Sequence, residues 1–381
     1  MTKPTFVIYI NNLLAYSVFC ILKLFFFKKN PKASDSILFI NSGQIGDLIV
    51  SSILFDNEEK FSVKYNKIVI LVKDDYQELY SSYQGTFIIK FYNYKKYKWN
   101  IIYKIKLLKE LRELNLKYCF NLTAARGILN DEMAILSGAK ETFALNSDWK
   151  YLKKIFGEKM DSFYKEIIGK ESLNEYEKHF NVLKYLVTEP ILSFTPNGNK
   201  ILFHFNGSNK NIINAIKDKK KLIIIAPFSS EMNRDWPMDK LKKLIALLLP
   251  NKFEIILIGS ESQKGELELI HPNNKQILIL AGEIKLNEIP TLLNFSSLFI
   301  GLDSGLTHIA LRLRIPTIAI IGGGMYGKFL PSPLSKENIK YLFADCDHFL
   351  CEWNCKYYEK KCLTNVPVNE VYTSILSLLR N

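Results

Sequence analysis

Leu298-Phe299-Ile300-Gly301-Leu302-Asp303-Ser304-Gly305-Leu306-Thr307-His308-Ile309-Ala310 decides the fold class of this chain. It opens with a short apolar run, Leu298 to Ile300, that suits a buried strand. Asp303-Ser304-Gly305 follows as a small polar turn. Thr307 to Leu313 then has the composition of a helix, stopped by Pro316, and Thr317 to Ile321 is a second apolar run. Strand, turn, helix, strand is one βαβ unit of a parallel sheet. The turn lies where a strand ends and a helix begins, so unpaired N–H groups and the helix dipole favour an anion there. The same residues also suit a plain helix cap made by Ser304 or Thr307.

The alternation repeats outward from this unit. Upstream, Leu222 to Ala226 is a strand ending in Pro227-Phe228-Ser229-Ser230, and Pro237 opens a helix through Leu249. Phe253 to Ile258 ends at Gly259-Ser260-Glu261, a helix runs through Glu266 to Ile270, Ile277 to Leu280 ends at Ala281-Gly282-Glu283, and Leu286 to Phe295 is helical. Downstream come the strand Ile339 to Phe343 and an amphipathic helix, Val368 to Leu379. The first half has the same rhythm. Ser36 to Asn41 is a strand that runs into Ser42-Gly43-Gln44-Ile45-Gly46-Asp47 and an apolar helix, Leu48 to Phe55. Lys67 to Val72, Phe87 to Phe91, Tyr118 to Leu122 and Ala139 to Leu145 are further strands, Asn100 to Leu114 is a helix, and Asp148 to Leu186 is mostly helical, with His179 as a structural histidine. The glycine spacing at Gly43 and Gly46 is not that of a dinucleotide fingerprint. Asp47 falls in the first helical turn, either balancing the dipole or facing a cleft at the mouth of the sheet.

These patterns predict an α/β chain with two Rossmann-like, doubly wound domains facing across a cleft, ligands binding at the carboxyl ends of the strands. Pro190, Pro196, Gly198 and Gly207 mark the boundary. The expected divisions are an apolar helix over 1–33, a first domain over 34–195, a linker over 196–220, a second domain over 221–345, and a Cys-rich segment with a terminal helix over 346–381.

The chain has 381 residues, 48% hydrophobic, enough for two full cores. Lysine and arginine number 51 against 38 acidic residues, a formal charge of +13 that favours anionic company. No run of basic residues interleaved with stacking aromatics marks a nucleic-acid groove; Lys95-Lys96-Tyr97-Lys98-Trp99 suits a solvated helix start. Cys20 and Cys119 sit in apolar runs. Cys346, Cys351, Cys355 and Cys362 crowd the end at spacings unlike the paired C-x-x-C zinc pattern; a structural metal, a local disulfide and unligated thiols all remain open. Phe6 to Phe27 is mostly apolar, interrupted by Asn11, Asn12 and Lys23, and followed by Lys28, Lys29 and Lys32 rather than a cleavage site. It can lie on an anionic membrane surface, span a bilayer with the rest of the chain in the cytoplasm, or pack on the protein.

Three segments together resemble the heptosyltransferase family, glycosyltransferase family 9. They are Gly43-Gln44-Ile45-Gly46-Asp47-Leu48-Ile49, Arg234-Asp235-Trp236-Pro237, and Gly282 through Gly322, which contains Asp303-Ser304-Gly305-Leu306-Thr307-His308. The resemblance covers roughly Ser36 to Gly324. It implies a GT-B fold, with the acceptor held by the first domain and a nucleotide-sugar donor by the second. It also implies an inverting transfer needing no metal for the chemistry and no cofactor beyond the donor. Members commonly move heptose from an ADP-sugar to the lipopolysaccharide core at the cytoplasmic face of the inner membrane. The expected partners are therefore a nucleotide sugar such as ADP-heptose, a lipid-linked glycan acceptor and an anionic membrane, with no nucleic acid.

Carried onto this chain, Asp47 matches the family's loop aspartate and is the expected base, with Gly43, Gln44 and Gly46 forming the acceptor loop. The diphosphate is expected on the N–H groups of Ser304, Gly305, Leu306 and Thr307, with His308 donating to a phosphate oxygen. Arg234 neutralises the phosphates where the family more often has lysine. Ser229 and Ser230 are phosphate donors at a strand end, Glu261 or Glu266 takes the ribose, Asp303 orients its loop by accepting backbone N–H groups, and Lys328 lies near the phosphates. Gly322 to Lys328 matches G-x-x-x-x-G-K, but Phe329 replaces the metal-binding Ser/Thr, and Pro331 and Pro333 oppose the helix a P-loop needs. A silent glycan- or partner-binding relative and a GT-B-fold sugar-nucleotide epimerase are the rival functions.

Overall fold

The computed structural model describes residues 3–28, 34–81, 83–147, 153–172, 174–195, 216, 221–229, 234–270, 274–334 and 338–380. The chain divides into two compact units, Met1–Leu192 and Ser193–Asn381. Of the linker expected over 196–220, only Ile216 is among the described residues.

The first unit is built on six parallel strands: β1 (Ser36–Asn41), β2 (Lys67–Lys73), β3 (Ile88–Tyr92), β4 (Tyr118–Asn121), β5 (Glu141–Leu145) and β6 (Glu166–Ile168). Their order is β3-β2-β1-β4-β5-β6. Such a sheet is covered on both faces, which is why its strands are continuous apolar runs. All six residues of β1 are buried. Leu38 and Ile40 join Leu107, Leu108 and Cys119 on one face. Phe39 lies against Phe61 and Phe120 on the other, and Phe120 stacks on Phe143 at 4.6 Å.

The N-terminal helix Lys3–Phe26 is part of this unit. Phe19, Leu22 and Phe26 are buried in the same core as the sheet. Phe19 meets Phe163 edge-on at 5.4 Å, and Arg112 closes the helix by donating to the carbonyls of Phe26 and Lys28 at 2.6 Å each. The opposite face stays apolar and exposed: Leu14, Ile21, Leu24 and Phe25 are 58%, 58%, 83% and 75% accessible. The helix is long and apolar enough to cross a membrane by composition. Its packed face shows one of the three expected roles, and its outer face keeps the membrane-surface role open.

Among the described residues the stretch from Asp148 to Leu186 is mostly helical, through Lys153–Gly157, Glu158–Asp161 and Glu175–Leu186, but it also holds the edge strand β6, which was not expected. A three-residue strand carries no readable period-2 pattern, and charged neighbours mask it. The helix Ile128–Ile135 went unseen because seven of its eight residues are buried, Asp131 and Glu132 among them, so it has no polar face.

The second unit repeats the plan with β7 (Leu222–Ala226), β8 (Glu254–Leu257), β9 (Ile277–Ile279), β10 (Leu298–Leu302), β11 (Thr317–Ile320) and β12 (Ile339–Leu342), ordered β12-β11-β10-β7-β8-β9 and all parallel. The helix after β10 spans Gly305–Arg312, starting two residues before the expected Thr307. Pro237 stands at the N-cap of Met238–Leu248 rather than inside it. The C-terminal helix Val368–Arg380 packs on Met238–Leu248, and Cys362, Leu363, Val366, Val371 and Ile375 complete the core.

Candidate active site

In each sheet the strand order reverses at one point, and ligands of such folds bind beyond the strand ends there. In the first unit that point lies between β1 and β4. The chain leaves β1 through Ser42 and Gly43 into the helix Ile45–Ser51. Asn41 braces the turn: its Oδ1 accepts from Gly43 N at 2.9 Å, and its Nδ2 donates to the Asp47 carbonyl at 3.2 Å and to Ser51 Oγ at 3.0 Å. Ser42 N donates to Thr123 Oγ1 beyond β4 at 3.1 Å, and Tyr92 donates to Ser42 Oγ at 2.6 Å.

Asp47 is the third residue of that helix, half-buried, and its Oδ2 accepts from Gln44 N at 2.6 Å. The helix-capping role is thus real, and it also fixes the carboxylate. A Cβ on Gly43 would sit 2.3 Å from the Asp47 Cβ, so only glycine admits this side chain. Tyr76 donates to Gln44 Oε1, leaving that exposed side chain held in place. Burial pushes the half-buried Lys73 ammonium down, and Asp75 and Asp47 oppose that shift. Gly46 lies half-buried in the first turn.

A second polar centre in this unit escaped the sequence. Arg126, just past β4, makes a forked pair with Asp131 at 2.9 and 3.0 Å and reaches Asp161 at 2.6 Å; Tyr164 and Asn121 also bond Asp131. Each of the three Arg126 nitrogens has a partner inside the protein, which marks a structural tie between β4, Ile128–Ile135 and the following loop. Lys104, Glu132 and Tyr97 form a similar buried set. His179 is also structural: its Nδ1 bonds to the Glu175 carbonyl at 2.8 Å, and burial lowers its pKa to about 4.

In the second unit the reversal lies between β10 and β7. It brings together Ser229 after β7 and Asp303-Ser304-Gly305 after β10. Ser229 N donates to Asp235 Oδ1 at 2.6 Å, which pins the Arg234–Pro237 segment against the end of β7. The Arg234 guanidinium lies 4.8 Å over the Trp353 ring and near the Asp303 carboxylate. Burial raises Asp303 to about 6 against the pull of Arg234. Asp235 is also raised by burial, with Ser229 opposing and Glu266 adding to it. His308 is buried and lowered to about 4, so it is a neutral imidazole at pH 7; its Nε2 lies 3.9 Å from Asp303 Oδ1, beyond hydrogen-bond reach.

Several expected roles change. Ser304 occupies the N-cap position of Gly305–Arg312, but neither Ser304 nor Thr307 caps through its side chain. Thr307 Oγ1 donates back to the Leu302 carbonyl, while Ser304 Oγ is buried with no partner among the described residues. The N–H groups of Gly305, Leu306 and Thr307 form the first turn, where an anion is favoured. Asp303 does not orient its loop as expected: no backbone N–H of the described residues bonds its carboxylate, whose neighbours are Arg234 and His308. Glu266 acts on Asp235, whereas the exposed Glu261 lies against Gly282 at the end of β9. Lys328 is half-buried in the loop after β11. Ser230 lies outside the described residues. Lys328 runs on into turns and bends rather than into a helix, in keeping with the rejection of a P-loop, and a Cβ on Gly322, Gly323 or Gly324 would meet Trp353 or Phe349 at 2.3 to 2.6 Å.

The comparisons with known proteins join this geometry. Residues 143–345, just over half of the chain, match the model of glycosyltransferase family 9 (heptosyltransferase). The chain is 24% identical over 216 residues to lipooligosaccharide heptosyltransferase 2 of Campylobacter jejuni, covering 55% of this chain and 66% of that protein, just under two thirds of its length. It is 26% identical over 302 residues to lipopolysaccharide heptosyltransferase 1 of Campylobacter coli, covering 75% and 83%. The structure of the Escherichia coli ADP-heptose lipopolysaccharide heptosyltransferase II superposes with a TM-score of 0.66 at 18% identity, over 91% of this chain and 98% of that one. At that identity the superposition speaks for the fold, two sheets of the GT-B kind. Family match, fold and strand-end residues agree: the chain belongs to glycosyltransferase family 9, the heptosyltransferases.

Proposed function

We propose that this protein is an inverting glycosyltransferase that moves heptose from ADP-heptose to a lipid-linked lipopolysaccharide-core acceptor. The observation that carries this is the strand-end turn of the second unit, where the start of Gly305–Arg312 meets Arg234 and two carboxyls, Asp303 and Asp235, that burial pushes toward their neutral forms. A diphosphate suits that combination of helix N-terminus, guanidinium and weakened negative charge. The relatives' names point the same way, to heptose and to lipopolysaccharide or lipooligosaccharide.

In the first unit Asp47 is the base. Its carboxylate takes the proton of the acceptor hydroxyl as that oxygen bonds to the sugar's anomeric carbon. The anomeric carbon–phosphate oxygen bond breaks, and ADP departs with the electron pair. Arg234 and the first-turn N–H groups hold the growing charge. His308, neutral at pH 7, donates an N–H rather than a charge. No divalent cation is needed to carry this step, and transfer should persist in magnesium-free buffer.

The site of work is the cytoplasmic face of an anionic membrane. The outer face of Lys3–Phe26 supports this, together with the exposed Trp99 and Ile102 nearby. Leu14 and Trp99 line one cavity of about 330 Å³ with Val18, Ile101 and Lys98, an apolar surface with a lysine at its edge that suits acidic headgroups.

The test is incubation of purified protein with ADP-heptose and a heptose-deficient lipid acceptor, reading the product by mass spectrometry and its anomeric configuration by NMR. An inverted glycoside is expected. Epimerised nucleotide sugar from donor alone, or ADP-sugars that fail to stabilise the protein where UDP-sugars do, would overturn the proposal.

A further inference from the structure

The four late cysteines did not enter the proposed reaction, and the fold gathers them. The ligand atoms of His348, Cys351 and Cys355 all lie within 4.8 Å of one another. Cys362, on the short helix Lys361–Thr364, lies outside that 4.8 Å group but is buried in the core that Cys346, Phe349 and Trp353 of the same loop pack against. None of these cysteines is in a disulfide. We propose that His348, Cys351, Cys355 and Cys362 bind one late first-row transition-metal ion, zinc or iron, in a closed tetrahedral site. Three sulfurs and one imidazole nitrogen are the donor set such ions prefer, and a closed four-donor site is structural rather than hydrolytic.

The surroundings fit a staple. Between β12 and Lys361 the chain forms only turns, and Leu350, Glu352 and Trp353 all take left-handed backbone angles, at φ of 57°, 48° and 63°. A loop of this kind has little core of its own, and a bound ion supplies the missing constraint. His348 Nδ1 accepts from Lys356 N at 3.2 Å, so loading exchanges this bond for the ion or for a proton on Nδ1. Each thiol that ligates gives up its proton, so binding strengthens as pH rises.

The staple also reaches the proposed donor site. Leu350 N and Glu352 N donate to the carbonyls of Gly323 and Gly324 at 2.8 and 2.9 Å. Trp353 then lies beneath Arg234. The ion therefore holds the platform of the residue assigned to the phosphates. This second effect rests on the donor assignment, but the metal content does not.

The experiment is elemental analysis of the purified full chain for zinc and iron, with variants. About one ion per chain is expected in the wild type and in Cys20→Ser, and less than about a tenth in Cys351→Ser and Cys355→Ser. A visible thiolate-to-iron absorption distinguishes iron from zinc, and either supports the site. Because a variant can misfold, the wild type is also titrated with an organomercurial while released metal is read by a chromogenic chelator; release in step with thiol modification supports ligation. Wild-type protein with no stoichiometric metal overturns the proposal. Retention in Cys362→Ser with loss in Cys346→Ser overturns the choice of fourth donor. A metal-depleted protein that binds ADP normally would leave the ion in place but sever its link to Arg234.

Discussion

At the scale of single residues, Asp47 carries the sharpest prediction. Asp47→Asn keeps the size and much of the capping bond to Gln44 N but cannot take a proton. Transfer should fall about 10²- to 10⁴-fold while ADP binding is unchanged, measured by initial rates and calorimetry. Arg234→Ala should do the reverse, weakening donor binding about 10- to 100-fold, as for loss of a hydrogen bond to a charged group. Asp303 adds a pH dependence. Its carboxyl is raised to about 6, and a bound diphosphate favours the protonated form. Donor affinity should therefore decline as pH rises through about 6, and Asp303→Asn should flatten that slope. Asp47, Arg234 and the Asp303 turn were legible because their residue types stand where a strand ends and a helix starts. Arg126 was not, since its partners Asp131, Asp161 and Tyr164 are brought to it only by folding.

At the scale of elements, the helix Lys3–Phe26 separates two roles by face. Leu24→Glu and Phe25→Glu change exposed positions, so they should release the protein from anionic vesicles in a flotation assay with little change in melting temperature. Phe19→Ala removes a fully buried ring from the core and should cost about 3–5 kcal/mol in denaturant unfolding. Deleting the whole helix would expose that core, so the point variants are the cleaner probe. The apolar run itself was plain in the sequence. Which face it buries was not, because residues on every side of this helix are apolar and no polar stripe marks the solvent side.

For the whole molecule, each unit carries its own core, so each has its own response to ligand and pH. Saturating ADP should raise hydrogen-exchange protection at the ends of β7 and β10 in the second unit. Acid should act on both units. His179 in the first and His308 in the second have folded pKa values near 4, below the ordinary 6.5. The unfolded chain therefore binds more protons between those values, and stability is lost as pH falls from about 6.5 toward 4. Asp303, raised rather than lowered, opposes this over part of the window. Melting temperatures against pH should flatten in His179→Gln with His308→Asn, and steepen in Asp303→Asn.

The order of strands and helices, the two-unit plan and the strand-end polar turns were determined by the sequence itself. Apolar periodicity and turn residues act over a few neighbours, and parallel sheets place loops by rule. The tertiary structure alone decided which residues meet across long separations: Trp353 under Arg234, Arg126 on Asp161, and an aromatic face of Lys3–Phe26 on Phe156 and Phe163. Those contacts depend on how side chains pack once the sheets have formed, and no local pattern along the chain encodes them.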